Sequence, residues 1–227
     1  MSKESVLWKD RRAAGLQLAE RLGPWAQQGL TTTVIGLPRG GVAVAAAVAE
    51  QLQLPLASCS VRKLALPTAP EYALGALAGQ GVVVWNPTPW GSARLSEGQR
   101  RALVDAARPE LERRRQRFAD PEPGTLRGRR LIVVDDGIAT GMTVLAALQA
   151  LRRCEPAELV LAVPVLDQRL VSQLSPLVDA LIAVAIVSGL RAVGDYYDDF
   201  SQVSDSMVEQ LLQAKKNTAK GGARAIG

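Results

Sequence analysis

Asp135 and Asp136 stand side by side at the end of an apolar run, RLIVVDD, and are followed by a loop of small residues, GIATGMT (137–143). Adjacent carboxylates repel unless they share hydroxyl donors or a cation, and a ribose 2′,3′-diol is a natural bidentate partner. The loop opens a helix near Gly141, so the amides from Ala139 through Thr140, Gly141 and Met142 to Thr143 form a concave set of donors suited to a phosphate. The Thr140 and Thr143 hydroxyls add hydrogen bonds. A phosphate cradle beside a diol clamp describes a 5-phosphoribosyl group; a capped strand-to-helix turn with surface acids would explain one Asp but not both acids and the Thr-Gly-Met-Thr loop. A Walker loop is excluded on spacing and charge: three residues, not four, separate Gly137 from Gly141, and Met142 stands where the lysine belongs.

A second glycine turn, Pro38-Arg39-Gly40-Gly41, also follows a β-branched run (TTTVIGL, 31–37) and opens a helix. Its amides can receive an anion and Arg39 adds a fork of donors. Arg62 and Lys63 end a run read as one strand over 55–64, where they either face the same anion or form a solvated pair. Tyr196, Tyr197 and Phe200, with Asp195 beside them, concentrate aromatics and acids in a chain that is only 4% aromatic. They can stack on a flat acceptor and read its NH groups, or pack a C-terminal helix onto the body.

The chain contains no histidine, which removes the Ser/His/Asp triad, the Cys/His pair and histidine-ligated zinc. Cys59 and Cys154 have neither disulfide-framework nor metal-ligand spacing and suit reduced thiols, pointing to the cytoplasm. With no signal-peptide core and no apolar stretch of about 18 residues, a soluble protein with no membrane partner is expected. The net charge of +5 is uneven: residues 100–130 carry ten arginines against five acids, and 213–227 four basic residues and no acid. The remainder is therefore at −4, and a general nucleic-acid surface is poorly supported. The arginines of 100–130 read as a solvated helix face with Glu and Asp partners.

Elements to position these residues follow from the patterns around them. Residues 8–22 have helical periodicity, 130–136, 158–164 and 180–187 are continuous apolar runs, and helices are expected over 141–153 and near 167–175. Residues 73–86 read as hairpin material. Ser96 begins a long polar helical stretch to about Phe118, in which Pro109 is expected to mark a break or the first turn of a second helix. The alternation gives an α/β fold, an open mostly parallel sheet flanked by helices, with ligand sites at the strand carboxyl ends. One domain spans 1–212, with a small hood over about 188–212; a short helix at 205–214 leads into a basic tail, 213–227, read as disordered.

The segment VVDDGIATGMT resembles the phosphoribosyl diphosphate (PRPP) signature of the type I phosphoribosyltransferases. LPRGGVAVA (37–45), VRKLALPTAPEYALGAL (61–77) and AVGDYYDDFSQVSD (192–205) are similar to a bacterial group of predicted members. The resemblance implies the fold, a Mg²⁺ cofactor, PRPP as substrate and pyrophosphate as product. It implies that Asp135 and Asp136 hold the ribose hydroxyls and that 139–143 hold the 5-phosphate. Pyrophosphate would lie at Arg39, Gly40 and Gly41, with Arg62 and Lys63 near it. Mg²⁺ would be bound through PRPP and water, with Asp135 and Asp136 as candidate ligands. Asp195, Tyr196, Tyr197 and Phe200 would form the acceptor hood, and Leu64–Gly75, with Glu71, a flap. Arg39, Asp135 and Asp136 are the candidate catalytic residues. Purine-salvage members carry an Asp where this chain has Ala139, which argues against that acceptor pattern. The expected activity is transfer of phosphoribose to a nitrogenous acceptor, in nucleotide metabolism, by a chain for which a homodimer stays open. The alternative is a regulator that senses PRPP or a nucleotide without turnover.

Overall fold

The computed structural model describes residues 6–26, 29–66, 68–69, 72–88 and 92–222, with side chains through 214. Its main sheet is parallel throughout, in the order β2-β1-β6-β7-β8, built from β1 (Thr32–Gly36), β2 (Leu56–Ser58), β6 (Arg130–Val134), β7 (Glu158–Asp167) and β8 (Ala180–Val187). β1 and β6 are buried along their whole length, as strands covered on both faces must be. Helices α1 (Arg11–Ala26) and α2 (Gly40–Gln51) cover one face together with α7 (Asp205–Gly222). α5 (Met142–Arg152) and α6 (Gln168–Leu174) cover the other.

β3 (Val61–Leu64), β4 (Gly75–Ala78) and β5 (Val83–Trp85) form a separate antiparallel sheet. The run 55–64 is therefore two strands in two sheets, not one. Asp120, just beyond α3 (Glu97–Arg117), makes the break: its carboxylate accepts from Ser58 Oγ at 2.6 Å and from the Ser60 amide at 2.7 Å, turning the chain between β2 and β3. α3 itself runs unbroken through Pro109. It begins at a capping box in which Ser96 Oγ accepts from the Gln99 amide and Gln99 Oε1 accepts from the Ser96 amide. A one-turn helix, α4 (Pro123–Leu126), leads into β6.

One further expectation changes. α7 continues to Gly222, so the stretch 213–222 is helical where a disordered tail was read; its Ala, Lys and Gln residues are good helix formers. Residues 223–227 lie outside the described part, as does Glu71. The arginines of 100–130 are mostly paired as expected: Arg113 and Arg114 with Glu110, Arg115 with Glu112, and Arg117 with Asp205 and Glu209. Arg130 is an exception in kind, buried at 3% exposure and bonded to Glu158 and the Trp25 carbonyl. No helix among the described residues is long and apolar enough to cross a membrane.

Candidate active site

Strand order places the candidate residues before any side chain is considered. From β1 the chain crosses to β2 on one side, and β6 docks on the other, so the sheet's topological switch point lies between the carboxyl ends of β1 and β6. Gly36 and Val134 are partners in register, and the turns that follow them, Leu37–Gly41 and Asp135–Gly141, meet across the strand ends.

How closely they meet is set by two glycines. A Cβ on Gly40 would lie 1.8 Å from Asp136 Oδ2, and one on Gly41 would lie 2.8 Å from both Asp135 Cα and Oδ1. Only hydrogen fits at either position. The Pro38–Arg39 peptide is cis. Arg39, about one-third exposed, places Nη1 3.8 Å from Asp205 Oδ1 at the start of α7.

The acid pair is half-buried and internally organised. The Asp136 amide donates to Asp135 Oδ1 at 3.0 Å, and Arg11 Nε donates to Asp136 Oδ2 at 2.8 Å. Burial and the neighbouring Asp136 charge push the Asp135 carboxyl well above the ordinary carboxylate range. Burial also raises Asp136, and Arg11 opposes that rise.

Next to the acids is a cavity of about 190 Å³ lined by Asp135, Gly137, Thr140, Gly141, Thr143 and Val193. Gly141 takes φ +76°, a left-handed conformation that favours glycine and turns the loop into α5. No side chain caps that helix, so its first amides are free to receive an anion. The Thr140 and Thr143 hydroxyls likewise have no protein partner among the described residues. Met142, by contrast, is buried, and only its backbone can serve the cradle.

The structure thus brings together Arg39, Gly40, Gly41, Asp135, Asp136 and 139–143. It does not bring Arg62 and Lys63 to the end of a parallel strand: both are exposed residues of β3, opposite Leu77 and Ala76. The hood is also redistributed. Tyr196 and Tyr197, each 4% exposed, are packing residues, which corrects their reading as a stacking platform. Tyr197 stacks between Trp8 and Phe200 and donates its hydroxyl to the Asp136 carbonyl at 2.6 Å. The segment Leu7–Lys9 pairs with residues 196–199, through Leu7 and Trp8 amides to the Tyr196 carbonyl and through Asp198 and Asp199 amides to Trp8 and Lys9. Asp195 is exposed and Phe200 half-buried.

Arg11 is the residue that sequence reasoning missed. Nothing in KDRRAAG separates it from Arg12, whose exposed pair with Glu50 is an ordinary surface contact; only the folded α1 aims one of the two at the acids. Both cysteine thiols are pushed up by burial, which leaves neither poised as a nucleophile.

Comparison with known proteins gives the chain a family. Residues 18–176 match the family described as Phosphoribosyl transferase domain. Two Mycobacterium tuberculosis proteins, "Putative phosphoribosyl transferase Rv0571c" (strain H37Rv) and "Putative phosphoribosyl transferase MT0597" (strain CDC 1551), are each 40% identical over 226 residues, 96% of this chain and 49% of theirs. The chain therefore spans about half the length of the curated relatives it matches. The crystal structure of TT1426 from Thermus thermophilus superposes with a TM-score of 0.71 at 36% identity, covering 92% of this chain and 98% of that one.

Proposed function

The chain belongs to the phosphoribosyl transferase domain family, and on that footing we propose that it transfers the 5-phosphoribosyl group of PRPP to a nitrogenous acceptor and releases pyrophosphate. The observation that carries the proposal is the contact of the two turns at the switch point, with Gly40 and Gly41 pressed against Asp136 and Asp135 and a phosphate-sized cradle beside them. Ribose hydroxyls would donate to the two carboxylates, and the 5-phosphate would lie on the α5 amides and the threonines. The diphosphate would lie over Gly40 and Gly41.

In the reaction the bond from ribose C1 to the diphosphate oxygen breaks, its electron pair leaving with pyrophosphate. The acceptor nitrogen supplies a lone pair to C1 and gives up its proton to water or to the departing pyrophosphate. Positive charge grows on the sugar and negative charge on the leaving group, so Arg39 and the glycine-turn amides are suited to stabilise the latter. Arg39 would leave its long contact with Asp205 to do so.

A magnesium ion of limited protein coordination is the cofactor this reading calls for. Each Asp of the pair has one oxygen engaged within the protein and one left over. That suits Mg²⁺, which keeps waters and takes other oxygens from a phosphorylated ligand, with Asp135 and Asp136 completing its surroundings. The ion would supply charge neutralisation for the departing diphosphate.

The test is pyrophosphate release from Mg²⁺-PRPP across a panel of purines, pyrimidines and amines, with calorimetry of Mg²⁺-PRPP alone. Turnover with one acceptor class is expected. Binding without turnover against every acceptor would favour the sensing role. Asp135→Asn with Asp136→Asn should abolish most of the binding, each lost charged hydrogen bond costing about 1.5–3 kcal/mol. Undiminished affinity in that double variant would remove the site assignment.

A further inference from the structure

We propose that Arg11 is a positioning residue for ribose recognition, fixing Asp136 so that one oxygen of that carboxylate, Oδ1, is left for a sugar hydroxyl. The inference rests on the phosphoribosyl reading above and concerns a residue outside both glycine turns.

Arg11 is held on several sides. Its Nε donates to Asp136 Oδ2 at 2.8 Å, its Nη1 donates to the Ser201 carbonyl at 2.9 Å, and its Cζ lies 3.8 Å from the centre of the Phe200 ring. The side chains of Arg11 and Asp136 are 12% and 17% exposed, against 59% and 55% for the neighbouring Arg12–Glu50 pair. A guanidinium so fixed loses little freedom in keeping its bond, unlike a surface arginine.

The other side of the same oxygen is closed by Gly40, whose missing Cβ would sit 1.8 Å from Oδ2 and 2.9 Å from Arg11 Nε. Oδ2 is therefore spent on the protein. In Asp135 the oxygen spent is Oδ1, which accepts the Asp136 amide. Each carboxylate keeps one oxygen, and the two together offer one acceptor to each of two vicinal hydroxyls.

Ligand binding has no reason to undo this arrangement. A diol is neutral and cannot replace a carboxylate as the partner of a guanidinium, so Arg11 stays in place while the sugar enters. Without Arg11, Asp136 would be free to rotate, and its correct orientation would have to be selected on binding.

The experiment uses the full chain as wild type, R11K and R11M, titrated with Mg²⁺-PRPP and with ribose 5-phosphate and 2-deoxyribose 5-phosphate. The latter two differ by one hydroxyl, so their affinity ratio reports hydroxyl recognition and is insensitive to general damage. PRPP affinity should fall in the order wild type, R11K, R11M, with a loss of about tenfold or more in R11M. The ribose preference should shrink in the same order, and R11M combined with Asp136→Asn should bind no more weakly than Asp136→Asn alone.

Equal PRPP affinity in wild type and R11M, an unchanged sugar ratio, or tighter binding by R11M would each overturn the role. If R11M does not fold, the comparison of R11K with wild type decides, and parity between them overturns it. A wild type that binds PRPP while the variants match it sinks only the Arg11 assignment. A wild type that neither binds PRPP nor distinguishes the two sugars sinks the phosphoribosyl reading, and this inference with it.

Discussion

At the scale of single residues, the tightest constraint on the site is a missing methyl group. Gly40→Ala would drive a Cβ into Asp136 Oδ2, and the carboxylate, being half-buried rather than enclosed, can swing away into the cleft. The fold should survive with a loss of about 1–3 kcal/mol, while PRPP affinity falls about tenfold or more because the displaced carboxylate no longer meets the ribose. Thermal melting and calorimetry on one preparation separate the two effects. A variant that melts normally and binds PRPP normally would show that the glycine turn and the acids do not act together.

The acids also set a direction for pH. Both carboxyls are raised by burial, so folding at neutral pH carries the cost of keeping them charged, and that cost is relieved as pH falls through the raised values. Their protonation therefore does not destabilise the fold. It does remove hydroxyl acceptors, so PRPP affinity is expected to decline on acidification from above the usual carboxylate range of about 4. Calorimetry from about pH 8 to about pH 5, with melting temperature followed in parallel, checks this. An affinity that stays flat across that range would contradict the raised pair.

At the scale of elements, what could be read from the chain depended on whether its cause was local. β6 and β7 were legible because a strand buried between layers is apolar almost end to end. The start of α3 was legible in Ser96, and the structure adds Gln99, which closes a capping box with it within one turn. The split of 55–64 was not, since its cause is Asp120, about sixty residues away and indistinguishable in sequence from a surface acid. Tyr196 and Tyr197 stayed undecided because their composition suits a ligand platform and a packing cluster equally, and Trp8, which packs on Tyr197, lies at the far end of the chain. Asp120→Ala tests the split directly: leaving the Ser60 amide unpaired should cost about 1–3 kcal/mol in urea unfolding, with PRPP affinity within about twofold of wild type. A parallel collapse of PRPP binding would return Arg62 and Lys63 to the ligand, since it is the orientation of β3 that Asp120 fixes.

At the scale of the whole molecule, the positive net charge says less about partners than it suggests. Four arginines in the last two turns of α3 are matched to acids of the same helix or of α7, so this most basic stretch has little unpaired charge to offer a phosphate backbone. Binding of a mixed-sequence RNA or DNA oligonucleotide, followed by anisotropy at about 150 mM salt, should show no saturation in the micromolar range. Saturable binding with a steep salt slope would mean that these pairs open for phosphate and that the charge pattern has been misjudged.

The pairing of β1 with β6 has a kinetic side. Thr32 lies against Arg130, so the register that joins the two turns closes a loop of about one hundred residues. Contacts of such long sequence separation form late, because the entropy of closing the loop is spent before the contact gives anything back. On a chain emerging from the ribosome, the glycine turn would wait through the synthesis of the hairpin sheet and all of α3 before its counterpart existed. A ligand spanning the two turns would then behave as a tether between distant stretches of polypeptide, slowing unfolding far more than it hastens folding.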